Sequence, residues 1–213
     1  MNARRLRGLY AITPDLADTA ALLARVDAAI GGGATVVQYR NKSAGAALAR
    51  EQAGALVRLC GQRGARLIVN DDWRLAIEVG AHGVHVGATD GDVRAVRDAI
   101  GPQPILGVSC YDRLDLAEQA ADVADYVAFG SVFASRTKPG AVRASLELFG
   151  QARARGWCTV AIGGITAGNA AQVAAAGADA WAVIGELFGA AGGLEPDEVK
   201  RRAWVLSAMV SPT

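Results

Sequence analysis

Residues 66–87, RLIVNDDWRLAIEVGAHGVHVG, contain a strand–helix–strand unit. Two short apolar runs, Arg66–Asn70 and Gly83–Gly87, flank a segment of helical period that ends near Gly80. A crossover of this length joins neighbouring parallel strands. Because both runs are apolar on both faces, the unit predicts a parallel sheet that is covered by helices.

The same alternation extends in both directions along the 213 residues, which could form one large domain or two small ones. Six further β-like runs are present: Leu9–Thr13, Ala34–Arg40, Ile105–Cys110, Asp125–Gly130, Thr159–Gly163 and Ala180–Ile184. Eight strands alternating with helices predict an α/β fold, a single (β/α)8 TIM barrel over residues 1–213. A doubly wound open sheet is the main rival, but Thr13-Pro14-Asp15 stands where that fold usually has a glycine fingerprint.

Two details of the helices are also predicted. Ser43 is expected to cap the helix that follows the second strand, since serine is a preferred N-cap residue. Residues 194–210 are expected to form a closing helix with Trp204 and Leu206 facing inward.

Composition excludes several classes of function. The net charge of +1 provides no basic surplus for nucleic-acid binding, and no apolar run approaches the ~20 residues of a membrane span. The odd set Cys60, Cys110 and Cys158 lies in apolar runs without a CxxC pair, which indicates buried free thiols and a cytoplasmic location. Self-association is left open.

In a TIM barrel the active site lies at the carboxyl ends of the strands. Here these positions are polar or glycine, in strand order Gln38, Arg40 and Lys42; Asn70 and Asp71; Asp90; Ser109; Ser135 to Lys138; Gly163 and Gly164; Gly185. The chain has only three lysines among 22 basic residues, and two of them, Lys42 and Lys138, follow strands. A compact ammonium at each place suits phosphate binding, although chance retention of lysine explains the count equally well.

Asp71 and Asp90 follow adjacent strands, which run ~4.8 Å apart, so that both carboxylates can reach one cation. Two carboxylates without Cys or His partners favour Mg²⁺ together with phosphate oxygens. Helix capping by Asp71, Asp72 or Asp90 is the alternative. Beside Gln38 and Arg40, a metal-bound diphosphate is the preferred interpretation.

Backbone amides around Gly163-Gly164 and Gly185 suit a second anion, a monophosphate, although glycine pairs also simply form tight turns. The chain offers no Ser–His–Asp set, and His82 and His85 are interpreted as core or loop histidines. The site therefore looks built to hold two anions and stabilise charge, not to supply a nucleophile.

These motifs together resemble the thiamine phosphate synthase family from Leu9 to about Phe188. The segments that carry the resemblance are Gln-Tyr-Arg-Asn-Lys at 38–42, Asn-Asp at 70–71, His-Val-Gly-Ala-Thr-Asp at 85–90, Ser109, residues 129–138 and Ile-Gly-Gly-Ile at 162–165. The family is a (β/α)8 barrel. It joins 4-amino-5-hydroxymethyl-2-methylpyrimidine diphosphate to 4-methyl-5-(2-hydroxyethyl)thiazole phosphate by a dissociative route and releases pyrophosphate.

The resemblance implies a role for each matching residue. The pyrimidine diphosphate would be held by the motif Gln38, Tyr39, Arg40, Asn41 and Lys42, with Asn70 and Ser109. The thiazole phosphate would be received by Ser135, Arg136, Thr137, Gly164, Ile184 and Gly185. Asp71 and Asp90 would bind Mg²⁺, and Lys138 would contact the leaving pyrophosphate. The residues expected to act in catalysis are Arg40, Lys42, Ser109 and Lys138.

This chain departs from the family pattern at four positions. Ala88 stands where the family commonly has Gln, and Ser131 where it often has Pro. Ser135 and Gly185 replace the usual Thr and Ser, so the Gly185 side chain can offer no hydroxyl to the phosphate.

Two other functions remain alternatives. One is the thiazole tautomerase of the same superfamily, which needs no acidic pair and carries a His where this chain has Ser131. The other is a non-catalytic sensor of a phosphate ligand on the same barrel.

Overall fold

The structure, a computed structural model, describes residues 5–88, 91–134, 140 and 142–209. Its strands are β1 (Gly8–Ile12), β2 (Val36–Tyr39), β3 (Arg66–Asn70), β4 (Gly83–Gly87), β5 (Ile105–Tyr111), β6 (Tyr126–Gly130), β7 (Thr159–Ile162) and β8 (Ala180–Val183). Each strand pairs in parallel with the next, and β8 pairs with β1, so that the sheet closes into a barrel. The predicted TIM-barrel fold is confirmed, and every predicted run is a strand with bounds within two residues of the expected ones.

Helices connect the strands and surround the barrel. They are α1 (Thr19–Gly31), α2 (Ala46–Arg63), α3 (Trp73–Val79), α4 (Val93–Ile100), α5 (Leu114–Ala120), α6 (Glu147–Ala154), α7 (Ala170–Ala175), α8 (Gly185–Phe188) and α9 (Pro196–Ser207), with a 3₁₀ turn at Ala190–Gly192. Helix α9 packs on α1. Across the described part of the chain, no helix is long and apolar enough to cross a membrane.

Two helix predictions are wrong. Helix α2 begins after Gly45, because the Ser43 hydroxyl donates to Asn41 Oδ1 at 2.8 Å instead of capping the helix. Trp204 is 68% exposed, whereas Leu206 is buried as predicted. The inward stripe of α9 consists of Val199, Ala203 and Leu206, and the residue next to Ala203 is turned about 100° away from it.

Alternating side chains on each strand form two separate apolar layers. The outer layer lies between barrel and helices and includes Leu9, Val37, Leu56 and Trp181. The inner layer fills the barrel and includes Leu6, Val36, Ile68, Ile105, Val160 and Ala180. The inner apolar side chains form a floor, above which the polar strand ends surround an open cavity.

Candidate active site

The cavity at the carboxyl ends of the strands has a volume of about 640 Å³. One side of its wall comes from β2 to β5 and contributes Gln38, Arg40, Lys42, Asn70, Asp71, His85 and Ser109. The other side comes from β6 to β8 and contributes Gly130, Ser131, Ile162, Gly163, Ala182, Ile184 and Gly185. The first side is cationic and polar, and the second is dominated by glycine and small or apolar residues.

The segment after β2 is anchored by the loop after β1. Thr13 Oγ1 donates to the Arg40 carbonyl at 3.0 Å and accepts from the Arg40 amide at 2.9 Å. Asp15 accepts from the Lys42 amide at 3.1 Å and lies 3.5 Å from the Arg40 guanidinium. The two basic side chains therefore extend from a backbone that is held by hydrogen bonds on both sides.

Asp71 is turned toward the cavity by its backbone. Its φ of 62° is in the left-handed region, and its amide donates to the His85 carbonyl at 2.8 Å. One carboxylate oxygen accepts from Asn70 Nδ2 at 2.6 Å. The neighbouring Asp72 is the cap of α3, because its side chain accepts from the Leu75 amide. Helix capping was the alternative for Asp71 and Asp72, and the structure shows that Asp72 is the residue that caps α3.

A divalent cation fits the chemistry of this wall. Asp71 keeps a second carboxylate oxygen beside the amide of Asn70, and hard oxygen donors of this kind suit Mg²⁺. Asp90, its predicted partner, lies outside the described residues. Within the described residues, no group of three or more His, Cys, Asp or Glu side chains is arranged as a metal site.

The glycine wall provides close access to the backbone. Gly163 has a φ of 99°, and a Cβ placed there would come within 2.1 Å of Ser131 Oγ. Gly164 has a φ of 65° and lies against the Phe133 and Ala134 backbone, so it supports the turn and does not line the cavity. The predicted residues Ser135, Arg136, Thr137 and Lys138 lie outside the described residues.

Tyr39 and Asn41, predicted to bind substrate, are placed on the other side of the strand. Tyr39 donates from its hydroxyl to Gln52 Oε1 at 3.0 Å, and Asn41 Nδ2 donates to the same oxygen at 3.1 Å. Gln52 belongs to α2 and is fully buried. Because side chains alternate along a strand, these two residues face the helices whenever Gln38 and Arg40 face the cavity.

A buried chain of polar side chains forms part of the cavity floor. Gln38 Nε2 donates to the Tyr10 hydroxyl, the Tyr10 and Tyr126 hydroxyls contact each other, and Tyr126 contacts His85 Nδ1, each at 2.9 Å. His85 Nε2 then meets Ser109 Oγ at 2.8 Å. Burial lowers the pKa of His85 to about 4, so its imidazole is neutral at physiological pH.

Sequence reasoning missed Tyr10, Tyr126 and His85 as cavity residues. His85 is a satisfied core histidine, as interpreted, yet it also contacts a predicted catalytic residue. Strand parity could have revealed this, because each of the three shares the inward position of Gln38 or Ser109 within its own strand. The three cysteines are free and buried, as predicted.

Comparison with known proteins gives concordant matches. The family model described as thiamine monophosphate synthase matches residues 9–187. A thiamine-phosphate synthase from Chromobacterium violaceum is 55% identical over 187 residues, which cover 87% of this chain and 90% of that protein. The thiamine-phosphate synthase of Bordetella pertussis is 49% identical over 214 residues, with 96% of each covered.

A solved structure agrees with the sequence matches. The thiamine phosphate pyrophosphorylase from Pyrococcus furiosus superimposes with a TM-score of 0.80 at 30% identity, covering 98% of this chain and 97% of that one. The similarity therefore extends over the whole barrel and includes both walls of the cavity.

Proposed function

The chain belongs to the thiamine monophosphate synthase family, and on this premise we propose the reaction of its cavity. The enzyme is a transferase that joins 4-amino-5-hydroxymethyl-2-methylpyrimidine diphosphate to 4-methyl-5-(2-hydroxyethyl)thiazole phosphate. The carbon–oxygen bond to pyrophosphate breaks, a carbon–nitrogen bond to the thiazole ring forms, and thiamine phosphate and pyrophosphate are the products.

One observation carries the proposal: Gln38, Arg40, Asn70, Asp71 and Ser109 line one cavity opposite a wall that is rich in glycine. Such a division suits two phosphorylated substrates. The charged diphosphate is placed against cations, and the monophosphate is placed against backbone amides near Gly163 and Gly185.

Arg40 and Lys42 bind the diphosphate and stabilise the charge that grows on it as it leaves. Lys138 is assigned to the same pyrophosphate, with Ser135, Arg136 and Thr137 on the thiazole phosphate. Asp71, with Asp90, would hold Mg²⁺, which when bound would neutralise negative charge on the diphosphate oxygens.

The substitution is assigned as dissociative from the family resemblance, and what lines the cavity agrees with a route that has no covalent enzyme intermediate. Among the described lining residues there is no cysteine, and both ring nitrogens of His85 are occupied by hydrogen-bond partners. The chain's task is therefore to orient the pyrimidine and to stabilise its departing pyrophosphate until the thiazole nitrogen attacks. The free cysteines also support a reducing, cytoplasmic setting.

The purified protein tests the proposal directly. With both substrates and Mg²⁺, we expect pyrophosphate release in equal amount to thiamine phosphate, measured by a coupled phosphate assay and by chromatography. A protein that binds one substrate but forms no product above the metal-free control would instead be a sensor. Conversion of a non-aromatic tautomer of the thiazole phosphate to the aromatic ring, without pyrophosphate release, would indicate the tautomerase.

A further inference from the structure

The polar chain beneath the cavity has both of its ends in the site. Gln38 is at one end and Ser109 at the other, and both line the cavity. Between them, Tyr10, Tyr126 and His85 are buried and form the contacts of 2.8–2.9 Å that link the two ends. Five side chains from five strands thus form one continuous hydrogen-bonded chain.

The barrel makes dedicated room for the central link. Gly107 of β5 is the register partner of Tyr126 on β6. A Cβ at Gly107 would lie 2.0 Å from the ring carbon that carries the Tyr126 hydroxyl. The tyrosine can place its hydroxyl between Tyr10 and His85 only because position 107 has no side chain.

The four contacts between neighbouring side chains of this hydrogen-bonded chain can all be formed in one direction. Gln38 donates to Tyr10, so the Tyr10 hydroxyl uses its own proton on Tyr126, its remaining contact among the described residues. Tyr126 then donates to His85 Nδ1, which leaves the imidazole proton on Nε2, pointing to Ser109 Oγ. With the Gln38 amide in this orientation, the reverse direction would leave the Tyr10 hydroxyl a buried donor without an acceptor among the described residues, which is unfavourable.

We propose that Tyr10, Tyr126 and His85 are positioning residues that fix the hydrogen-bond polarity of both ends of the chain. Gln38, whose amide nitrogen is engaged by Tyr10, presents its carbonyl oxygen as an acceptor to the cavity. Ser109, whose oxygen accepts from His85, presents its hydroxyl proton as a donor. This inference rests on the proposed function and identifies what the pair selects.

The matching ligand presents an N–H donor to Gln38 and an acceptor to Ser109, as an aminopyrimidine does with its exocyclic amine and its ring nitrogens. The 4-oxo counterpart of the same diphosphate has a carbonyl where the substrate has the amine. If the polarity of Gln38 and Ser109 is fixed, the carbonyl oxygen of the 4-oxo compound faces the carbonyl oxygen of Gln38. A site built for hydrogen bonding strongly rejects two buried acceptors that face each other.

The first test measures the hydrogen-bond polarity of the chain at His85 and requires no turnover. In protein labelled with ¹⁵N-histidine, we expect neutral His85 with its proton on Nε2, assigned by comparison with His82→Gln. Tyr126→Phe should then shift the His85 Nδ1 resonance. A proton on Nδ1 in the unmodified protein would overturn the proposal, whether or not the protein forms thiamine phosphate.

The second test measures selectivity between the amino and 4-oxo pyrimidine diphosphates by kcat/KM. Tyr126→Phe frees both ends of the chain to reverse, so we expect the preference for the amino compound to fall at least tenfold. The KM for the thiazole phosphate should stay within twofold. Thr159→Val, which removes a hydroxyl that is fully buried at the start of β7, controls for the loss of a buried polar group.

Each outcome decides the matter. Unchanged selectivity in Tyr126→Phe, or an equal fall in Thr159→Val, would overturn the proposal. If Tyr126→Phe does not fold, Tyr10→Phe interrupts the same chain and should give the same fall in selectivity. If the unmodified protein binds both compounds without turnover, the proposed reaction fails. The position of the proton on the His85 ring then decides by itself whether the proposed polarity is correct.

Discussion

The inside of the barrel and the shell around it are built from the same strands but differ in chemistry. Toward the helices, the side chains are almost all apolar, and Leu56 and Trp181 are typical. Toward the axis, an apolar floor gives way to Gln38, His85 and Ser109, which are linked by hydrogen bonds through Tyr10 and Tyr126. The shell therefore provides the stability of the fold, while the upper interior is free to serve a ligand.

The largest contrast is expected between two adjacent aspartates. Asp71→Asn removes a cavity carboxylate while keeping a residue that tolerates a φ of 62°, so we expect kcat/KM to fall on the order of 100-fold or more with little change in stability. Asp72→Ala removes the cap of α3 and should cost about 1 kcal/mol of stability while activity is retained. Steady-state kinetics and urea unfolding measure both, and equal activity losses would contradict the division.

A core substitution in the shell should show the opposite behaviour. Leu56→Ala leaves a cavity between α2 and the barrel, and we expect the free energy of unfolding to fall by about 2–5 kcal/mol. The kcat per folded molecule should remain within a factor of two, because the substitution lies outside the site. A large loss of kcat at full folding would show that the shell also tunes the cavity.

Acid should destabilise the interior through His85. Its pKa is about 4 in the folded protein against an ordinary 6.5, because burial disfavours the charged imidazole. Above pH 6.5 the His85 imidazole is neutral in both the folded and the unfolded protein. Between pH 6.5 and 4 it takes up a proton only in the unfolded chain. The free energy of unfolding should therefore fall on acidification, by about 3 kcal/mol at pH 4.

Urea unfolding at several pH values measures this loss, with two variants as a matched pair. His85→Gln should abolish most of the dependence between pH 6.5 and 4. His82→Gln should retain most of it, because His82 is exposed to solvent, although desolvation and the charge of Arg66 also lower its pKa. Equal slopes in the two variants would show that the acid sensitivity has another origin.

The smallest expected effect concerns the outward face of β2. Tyr39→Phe removes one buried hydrogen bond to Gln52, so the free energy of unfolding should fall by about 1 kcal/mol. Gln38→Ala, on the inward face, should raise the KM for the pyrimidine diphosphate more than Tyr39→Phe does. A larger increase in KM for Tyr39→Phe than for Gln38→Ala would indicate that Tyr39 contacts the substrate.

The sequence by itself determined the order of strands and helices and the polar character of the strand ends. Each of these features depends on local patterns: apolar runs of five to seven residues, glycines after helices and charged residues after strands. Of the seven residues that the family resemblance assigned to the diphosphate, five line one cavity, namely Gln38, Arg40, Lys42, Asn70 and Ser109, whereas Tyr39 and Asn41 do not.

Only the tertiary structure decided which side chains contact one another at the site. Tyr39 and Gln38 are adjacent in the chain, but closure of the barrel sends one toward Gln52 and the other toward Tyr10. It likewise joins Tyr126 to His85, 41 positions apart, through the space left by Gly107. Local patterns contain no information on such contacts, because they depend on register between strands that meet only when the barrel closes.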